Sequence, residues 1–310
     1  MNNPIRVAIT IRSFNTQGLA YKKLREYCTI TYINTTGKRL SEPDLVHAIA
    51  ETEGVVAGTE CFSSEVIGQA TALRIISRVG VGTDSIDLKS AELQRVHIAT
   101  TPSSPVQAVA EHTLALLLSS MKHIPQYNRQ MREGKQELTS NSLLAGKTVG
   151  VAGIGRIGSR VAEMLEALGC HICFFDPQFS RETPRTWKRF NSLVDMIGIV
   201  DILSIHSSPL PDGTPLITRD MLTQAKGITL VNTARGSLID EHALIGALDS
   251  GCVSAAALDV FPTEPYTGRL LDYPQVIVTP HVSSNTTESR EQMEMEAVDN
   301  LIRYITEIRP

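Results

Sequence analysis

The stretch TVGVAGIGRIGSRVAEMLEALGCHICFFD, residues 148–176, decides the fold. It opens on TVGV, small and aliphatic residues that suit a strand buried on both faces. GIGRIG (153–158) follows with G-x-G-x-x-G spacing. SRVAEMLEALG then reads as a helix ending at Gly169, and a second β-favouring run delivers Asp176, 18 positions beyond Gly158. Strand, glycine turn, helix and strand make a βαβ unit. The glycine spacing alone is weak, but this context makes it the fingerprint of a dinucleotide site. Gly153 makes the tight turn, Gly155 lets a pyrophosphate approach the backbone, and Gly158 allows close helix–strand packing. The helix start at Arg156 and Ile157 supplies oriented N–H groups to phosphates. Asp176 can accept hydrogen bonds from both ribose hydroxyls, whereas a 2′-phosphate would meet a like charge, so NAD is favoured over NADP. Arg181 lies close enough to bear on phosphate tolerance.

Strand-like and helix-like segments alternate on both sides of this unit. IRVAITI, LAYKKLREY, TITYI, EPDLVHAIA and GVVAG occupy the first sixty residues, and DILSIH, GITLVNTA, VSAAALDV and VIVTP follow the glycine motif. That alternation is the signature of parallel α/β layers. A Pro/Ser loop, ATTPSSPVQ, leads into an apolar helix over Val106–Met121 and reads as a domain crossing; Lys122 to Ala145 reads as a polar stretch. An amphipathic helix is predicted over Thr287–Ile308, with a connection short enough to return it to the first domain.

The chain has 310 residues, 42% of them hydrophobic, enough for two cores. Its net charge of −4, with both signs interspersed, gives no basic surface for nucleic acid. No apolar run approaches the ~18 residues of a membrane span, and the N-terminus lacks a signal-peptide pattern, so a cytoplasmic protein is expected. Five scattered cysteines fit a reducing compartment. Cys170 and Cys173 form C-x-x-C, but within a strand, and no metal site is expected.

In an open parallel sheet, ligands bind beyond the carboxyl ends of the strands. Those positions hold Asp176, His206, Arg235, Asp259 and His281. Arg235 offers a planar fork for a carboxylate and an adjacent oxygen. His281, placed after VIVTP, is the side-chain type that exchanges a proton near neutral pH. Glu264, after the neighbouring strand, could hold the imidazole and stabilise its protonated form. Pro280 would fix the chain direction just before His281.

These residues resemble the D-isomer-specific 2-hydroxyacid dehydrogenases. SRVGVGTDSID (77–87), AVAEHTLALLL (108–118), GVAGIGRIG (150–158), VNTARGSLIDE (231–241), ALDVFPTEP (257–265) and TPH (279–281) occur in family order. The resemblance implies two doubly wound parallel-sheet domains, Rossmann-like and flavodoxin-like, with the active site in the cleft between them. Residues 1–101 plus 286–310 would form the substrate-binding domain and 102–285 the dinucleotide-binding domain, through which a homodimer would form. Arg235, Glu264 and His281 would be the catalytic triad. His206, Thr233 and Ala234 would line the NAD site, Asp259 would contact the nicotinamide carboxamide, and the Val81 and Gly82 N–H groups would cradle the substrate carboxylate. Glu264 separates the chain from formate dehydrogenases, where the histidine's partner is a glutamine.

Within the family the chain is most similar to the short phosphoglycerate-dehydrogenase-like branch. Its departures are a longer IHSSPLPDGT loop, no tryptophan in EGKQ, and Pro105 in SSPVQ. TIRSF and AGTE make Arg12, Ser13 and Glu60 candidates for substrate specificity, while Glu111 and His112 read as structural. The implied activity is NAD-dependent interconversion of a D-2-hydroxy acid and its 2-oxo acid by hydride transfer, with D-3-phosphoglycerate as one substrate. A glyoxylate or hydroxypyruvate reductase is the alternative enzyme. An NAD-responsive binding protein, resembling the C-terminal-binding-protein corepressors, is the non-enzymatic one, disfavoured by the absence of added tails.

Overall fold

The computed structural model describes residues 5–180 and 186–308, so Arg181 lies outside the described residues. The chain divides into two units, one running to Pro105 and resuming at Thr286, the other spanning Val106–Asn285.

The first unit holds β1 (Ile5–Ile9), β2 (Cys28–Ile33), β3 (Gly54–Ala57), β4 (Ile75–Arg78) and β5 (His97–Ala99). They form a wholly parallel sheet in the order β2-β1-β3-β4-β5, the flavodoxin-like arrangement. Parallel strands need crossovers, which cover both faces, so β3 is buried at all four positions. Leu45, Ile49, Val66 and Ile67 pack on one face. The other is covered by Leu24 and by Met293, Ala297, Val298 and Leu301 of the helix Thr287–Arg303. Those four residues recur at helical spacing and make its apolar stripe. The predicted helix ends differently from expectation: its last turn, Tyr304–Ile308, is π-helical.

The second unit holds β6 (Thr148–Ala152), β7 (His171–Phe175), β8 (Lys188–Phe190), β9 (Ile202–Ile205), β10 (Ile228–Asn232), β11 (Val253–Leu258) and β12 (Val276–Val278). Their order is β12-β11-β10-β9-β6-β7-β8, again wholly parallel. Strand order reverses between β6 and β9, which puts the glycine turn at the switch point where open sheets bind ligands. Leu116, Val149, Val161 and Leu165 fill one face, and Met196, Leu203, Leu230 and Leu244 the other. The stretch read as polar contains a helix, Ile124–Arg132, with no buried residue.

Candidate active site

The β6 strand leads into the helix Arg156–Ala167 through Gly153–Gly155. A methyl group at Gly158 would sit 2.0 Å from the Gly153 carbonyl oxygen, so only glycine lets the helix start this close to the turn. At Gly155 a Cβ would meet nothing within 4 Å, and no side chain caps the helix there. The first-turn N–H groups therefore face open space that suits a pyrophosphate. Asp176 closes the turn: its Oδ2 accepts the Ile154 N–H at 2.9 Å and its Oδ1 the Gln178 N–H at 2.9 Å. Glycine turn, uncapped helix and acidic strand end fit the pyrophosphate and ribose of a dinucleotide.

At the end of β10, Asn232 is fully buried and braces the following turn. Its Oδ1 accepts the Ala234 N–H at 3.0 Å and its Nδ2 donates to the Arg235 carbonyl at 2.8 Å. Arg235 is extended and half-buried, with Nη1 donating to the Ala234 carbonyl at 2.7 Å. Gly236 then passes directly over the segment after β11. A Cβ there would lie 2.0 Å from the Phe261 carbonyl carbon and 2.3 Å from the Pro262 nitrogen. This close approach brings the Arg235 turn against the segment that carries Glu264.

Glu264 Oε1 accepts the Phe261 N–H at 3.2 Å, which leaves Oε2 for His281 Nδ1 at 2.9 Å. The two side chains are 36% and 42% exposed, open enough to meet a ligand. The His281 backbone adopts φ +54°, a left-handed conformation uncommon for a residue with a side chain. Such strain persists only where surrounding contacts enforce it. The His281 N–H donates to the Asp259 carbonyl at 2.8 Å. Asp259 Oδ1 accepts the Thr279 hydroxyl at 2.5 Å and the Val282 N–H at 2.9 Å, while Oδ2 accepts the Ser283 N–H at 2.9 Å. His112 Nε2 stands 3.2 Å from the Thr279 hydroxyl and 3.5 Å from Asp259 Oδ1. The left-handed turn, tied down by Asp259, aims the imidazole; Pro280 alone does not.

Asp259, which the resemblance gave to the nicotinamide carboxamide, is 0% exposed with its carboxylate turned into this network. Burial alone would raise its pKa. Hydrogen bonds from His112, Thr279, Val282 and Ser283 outweigh that and hold the carboxyl at about 2. A depressed folded-state value gives stability that is fully present above the unfolded pKa, near 4, and is lost as pH falls toward 2; the size is about 2 kcal/mol. Asp259→Asn is accordingly expected to be less stable than the parent at pH 7, with the gap closing by pH 2. Urea titrations showing a constant gap across that range would remove the carboxylate from this role.

Burial pushes the His206 imidazole down to about 4, and its Nε2 is 2.8 Å from the Ser204 hydroxyl. So lowered, it is a weak base, whereas the acid–base role suits a group that titrates nearer the working pH. Thr233 is buried with its hydroxyl 2.8 Å from that of Thr113. In the first unit, Arg12 is exposed just beyond β1, and Val81 and Gly82 follow β4 on an accessible loop. Ser13 is engaged by Arg290, whose Nη2 donates to its hydroxyl at 2.7 Å. Glu60, read as a specificity candidate, is only 1% exposed and accepts the Gly58 N–H at 2.6 Å, so it folds back to close its own turn. Burial raises its pKa, against the pull of that N–H and of Arg78 and Arg39. Sequence reading missed Asn232, Gly236 and Thr279. A polar residue ending the buried run ITLVN was the signal available for Asn232.

The model of the D-isomer specific 2-hydroxyacid dehydrogenase NAD binding domain matches residues 114–283. The D-3-phosphoglycerate dehydrogenase of Mycobacterium bovis is 36% identical over 263 residues, which are 83% of this chain and 50% of that protein. The chain thus spans about half the length of the curated relatives it matches. Among solved structures, the TT0316 protein of Thermus thermophilus superposes with a TM-score of 0.86 at 30% identity, covering 97% of each chain. An NADPH-dependent glyoxylate/hydroxypyruvate reductase of Sinorhizobium meliloti gives 0.86 at 27% identity, covering 98% of this chain and 95% of that one.

Proposed function

Because the chain belongs to the D-isomer specific 2-hydroxyacid dehydrogenase family, we propose that it is an NAD-dependent oxidoreductase interconverting a D-2-hydroxy acid and its 2-oxo acid. The observation that carries this reading is the His281–Glu264 pair, 2.9 Å apart and open to a ligand beyond the strand ends. The glycine turn and Asp176 would hold a nicotinamide dinucleotide, which when bound would supply the two-electron redox partner for C2 of the acid. His206, Thr233 and Ala234 belong to the same proposed site.

An ionised carboxylate only accepts hydrogen bonds, so the contact with Glu264 places a proton on His281 Nδ1. Nε2 is then the ring atom that takes the substrate hydroxyl proton in oxidation and returns one in reduction. Glu264 fixes the tautomer and stabilises the imidazolium that forms. Arg235 orients the carboxylate and C2 oxygen through paired N–H donors. Val81 and Gly82 N–H groups are assigned to the carboxylate as well. NADH oxidation across a panel of pyruvate, glyoxylate, hydroxypyruvate and 3-phosphohydroxypyruvate tests the reading. A folded protein that turns over none of them would sink it.

D-3-phosphoglycerate is the substrate proposed, with the glyoxylate or hydroxypyruvate reductase as second reading because the AGTE segment presents no cation. Arg12 is an exposed cation offered to a phosphate. Arg12→Ala is expected to raise KM for the phosphorylated acid by about ten- to a hundredfold, the loss of one charge-assisted contact, and to affect glyoxylate much less. Equal losses for both substrates would assign Arg12 to the common carboxylate or the fold.

A homodimer through the second unit and a cytoplasmic location belong to the same reading. The exposed Ile124, Met131, Leu138 and Leu143 favour an apolar contact there. No helix of the described residues is long and apolar enough to cross a membrane.

A further inference from the structure

Beside the proposed ribose contact stands a cation that the sequence reading did not single out. The β8 strand pairs with β7 so that Arg189 lies opposite Phe174. From there its Nη2 reaches the Asp176 backbone carbonyl at 3.3 Å. Its guanidinium carbon lies 5.8 Å from the Phe179 ring centroid. Phe179 in turn packs edge-on against the fully buried Phe174, with centroids 5.2 Å apart. A hydrogen bond and a ring contact therefore hold the guanidinium at the strand end that carries the Asp176 carboxylate. A guanidinium has five donors in a fork that matches phosphate oxygens, and the carbonyl engages one of them.

Resting on the dinucleotide reading above, we infer that Arg189 is a latent ligand for a 2′-phosphate, so that exclusion of the phosphorylated dinucleotide depends on the single charge of Asp176. With Asp176 present, an incoming phosphate meets a carboxylate fixed by the Ile154 and Gln178 N–H groups. With that charge removed, the same phosphate meets a cation already in place, and little reorganisation is needed to bind it.

Calorimetry with NAD, NADP, AMP and adenosine 2′,5′-bisphosphate tests this on the full chain without turnover. The wild type is expected to bind NAD and to bind NADP at least about tenfold more weakly. Asp176→Asn keeps an oxygen acceptor for the turn, and is expected to tighten NADP and the bisphosphate by about ten- to a hundredfold, the size of a charge-assisted contact. Adding Arg189→Ala should abolish that gain, and Arg189→Lys should restore part of it. As a check independent of the Asp176 variant's folding, Arg189→Ala alone should weaken the bisphosphate more than AMP. No gain in Asp176→Asn, or a gain that survives Arg189→Ala, overturns the inference while leaving the dinucleotide reading intact. A wild type that binds neither NAD nor NADP overturns the dinucleotide reading itself, and the inference with it.

Discussion

His281→Asn is expected to lower kcat by about a hundredfold or more, the range of general acid–base catalysis, with NAD affinity preserved. Asparagine is the informative replacement because it tolerates the left-handed backbone that His281 adopts at φ +54°. The Asp259 and Thr279 contacts that hold the turn can then persist, and the loss reports on the imidazole. Glu264→Gln keeps the size of the partner and removes its charge. It should also lower kcat, because the imidazolium that forms in the reaction loses its counter-charge. Stopped-flow measurements with a 2-oxo acid and NADH separate these effects from binding. Near-normal turnover in His281→Asn would return the histidine to the status of a turn residue.

The fold was legible because its signals are local. GIGRIG lies between a buried strand pattern and an amphipathic helix, and every parallel strand with both faces covered is a short apolar run. The elements that escaped notice lack such a pattern. The β8 strand is three residues long with Lys188 and Arg189 exposed, and the helix Ile124–Arg132 buries nothing. At the candidate site, chemical types were legible where they follow strand ends, and the structure brings Glu264 and His281 into hydrogen-bond contact. Long-range partners were not legible. Nothing local says that Glu60 folds back onto Gly58, or that Asp259 spends its carboxylate on the turn of Thr279–Ser283. The same holds for Arg189, which reaches Asp176 across 13 residues of sequence.

The largest effect of a single added carbon is expected at Gly236. Its missing Cβ would lie 2.0 Å from the Phe261 carbonyl carbon and 2.4 Å from the Phe261 Cα, both backbone atoms with no rotamer to yield. Carbon atoms at optimal separation stand about 3.5–4 Å apart. Gly236→Ala must therefore part the two segments by more than an ångström, and Arg235 lies on one while Glu264 lies on the other. Misplacement of that size costs about a hundredfold in rate even when every reacting group is present. Overpacking adds about 1–3 kcal/mol of lost stability. Dinucleotide affinity should fall less than kcat, since the glycine turn and Asp176 are formed by other strands and only Thr233 and Ala234 of the proposed dinucleotide site share the displaced turn. Gly246 supplies the control: it lies within the helix Glu241–Ser250, and a Cβ there meets nothing within 4 Å. Gly246→Ala should keep kcat and gain up to about 1 kcal/mol from helix propensity. If both alanine variants turned over at the parental rate, the contact between the Arg235 turn and the Glu264 segment would have no part in positioning the reacting groups.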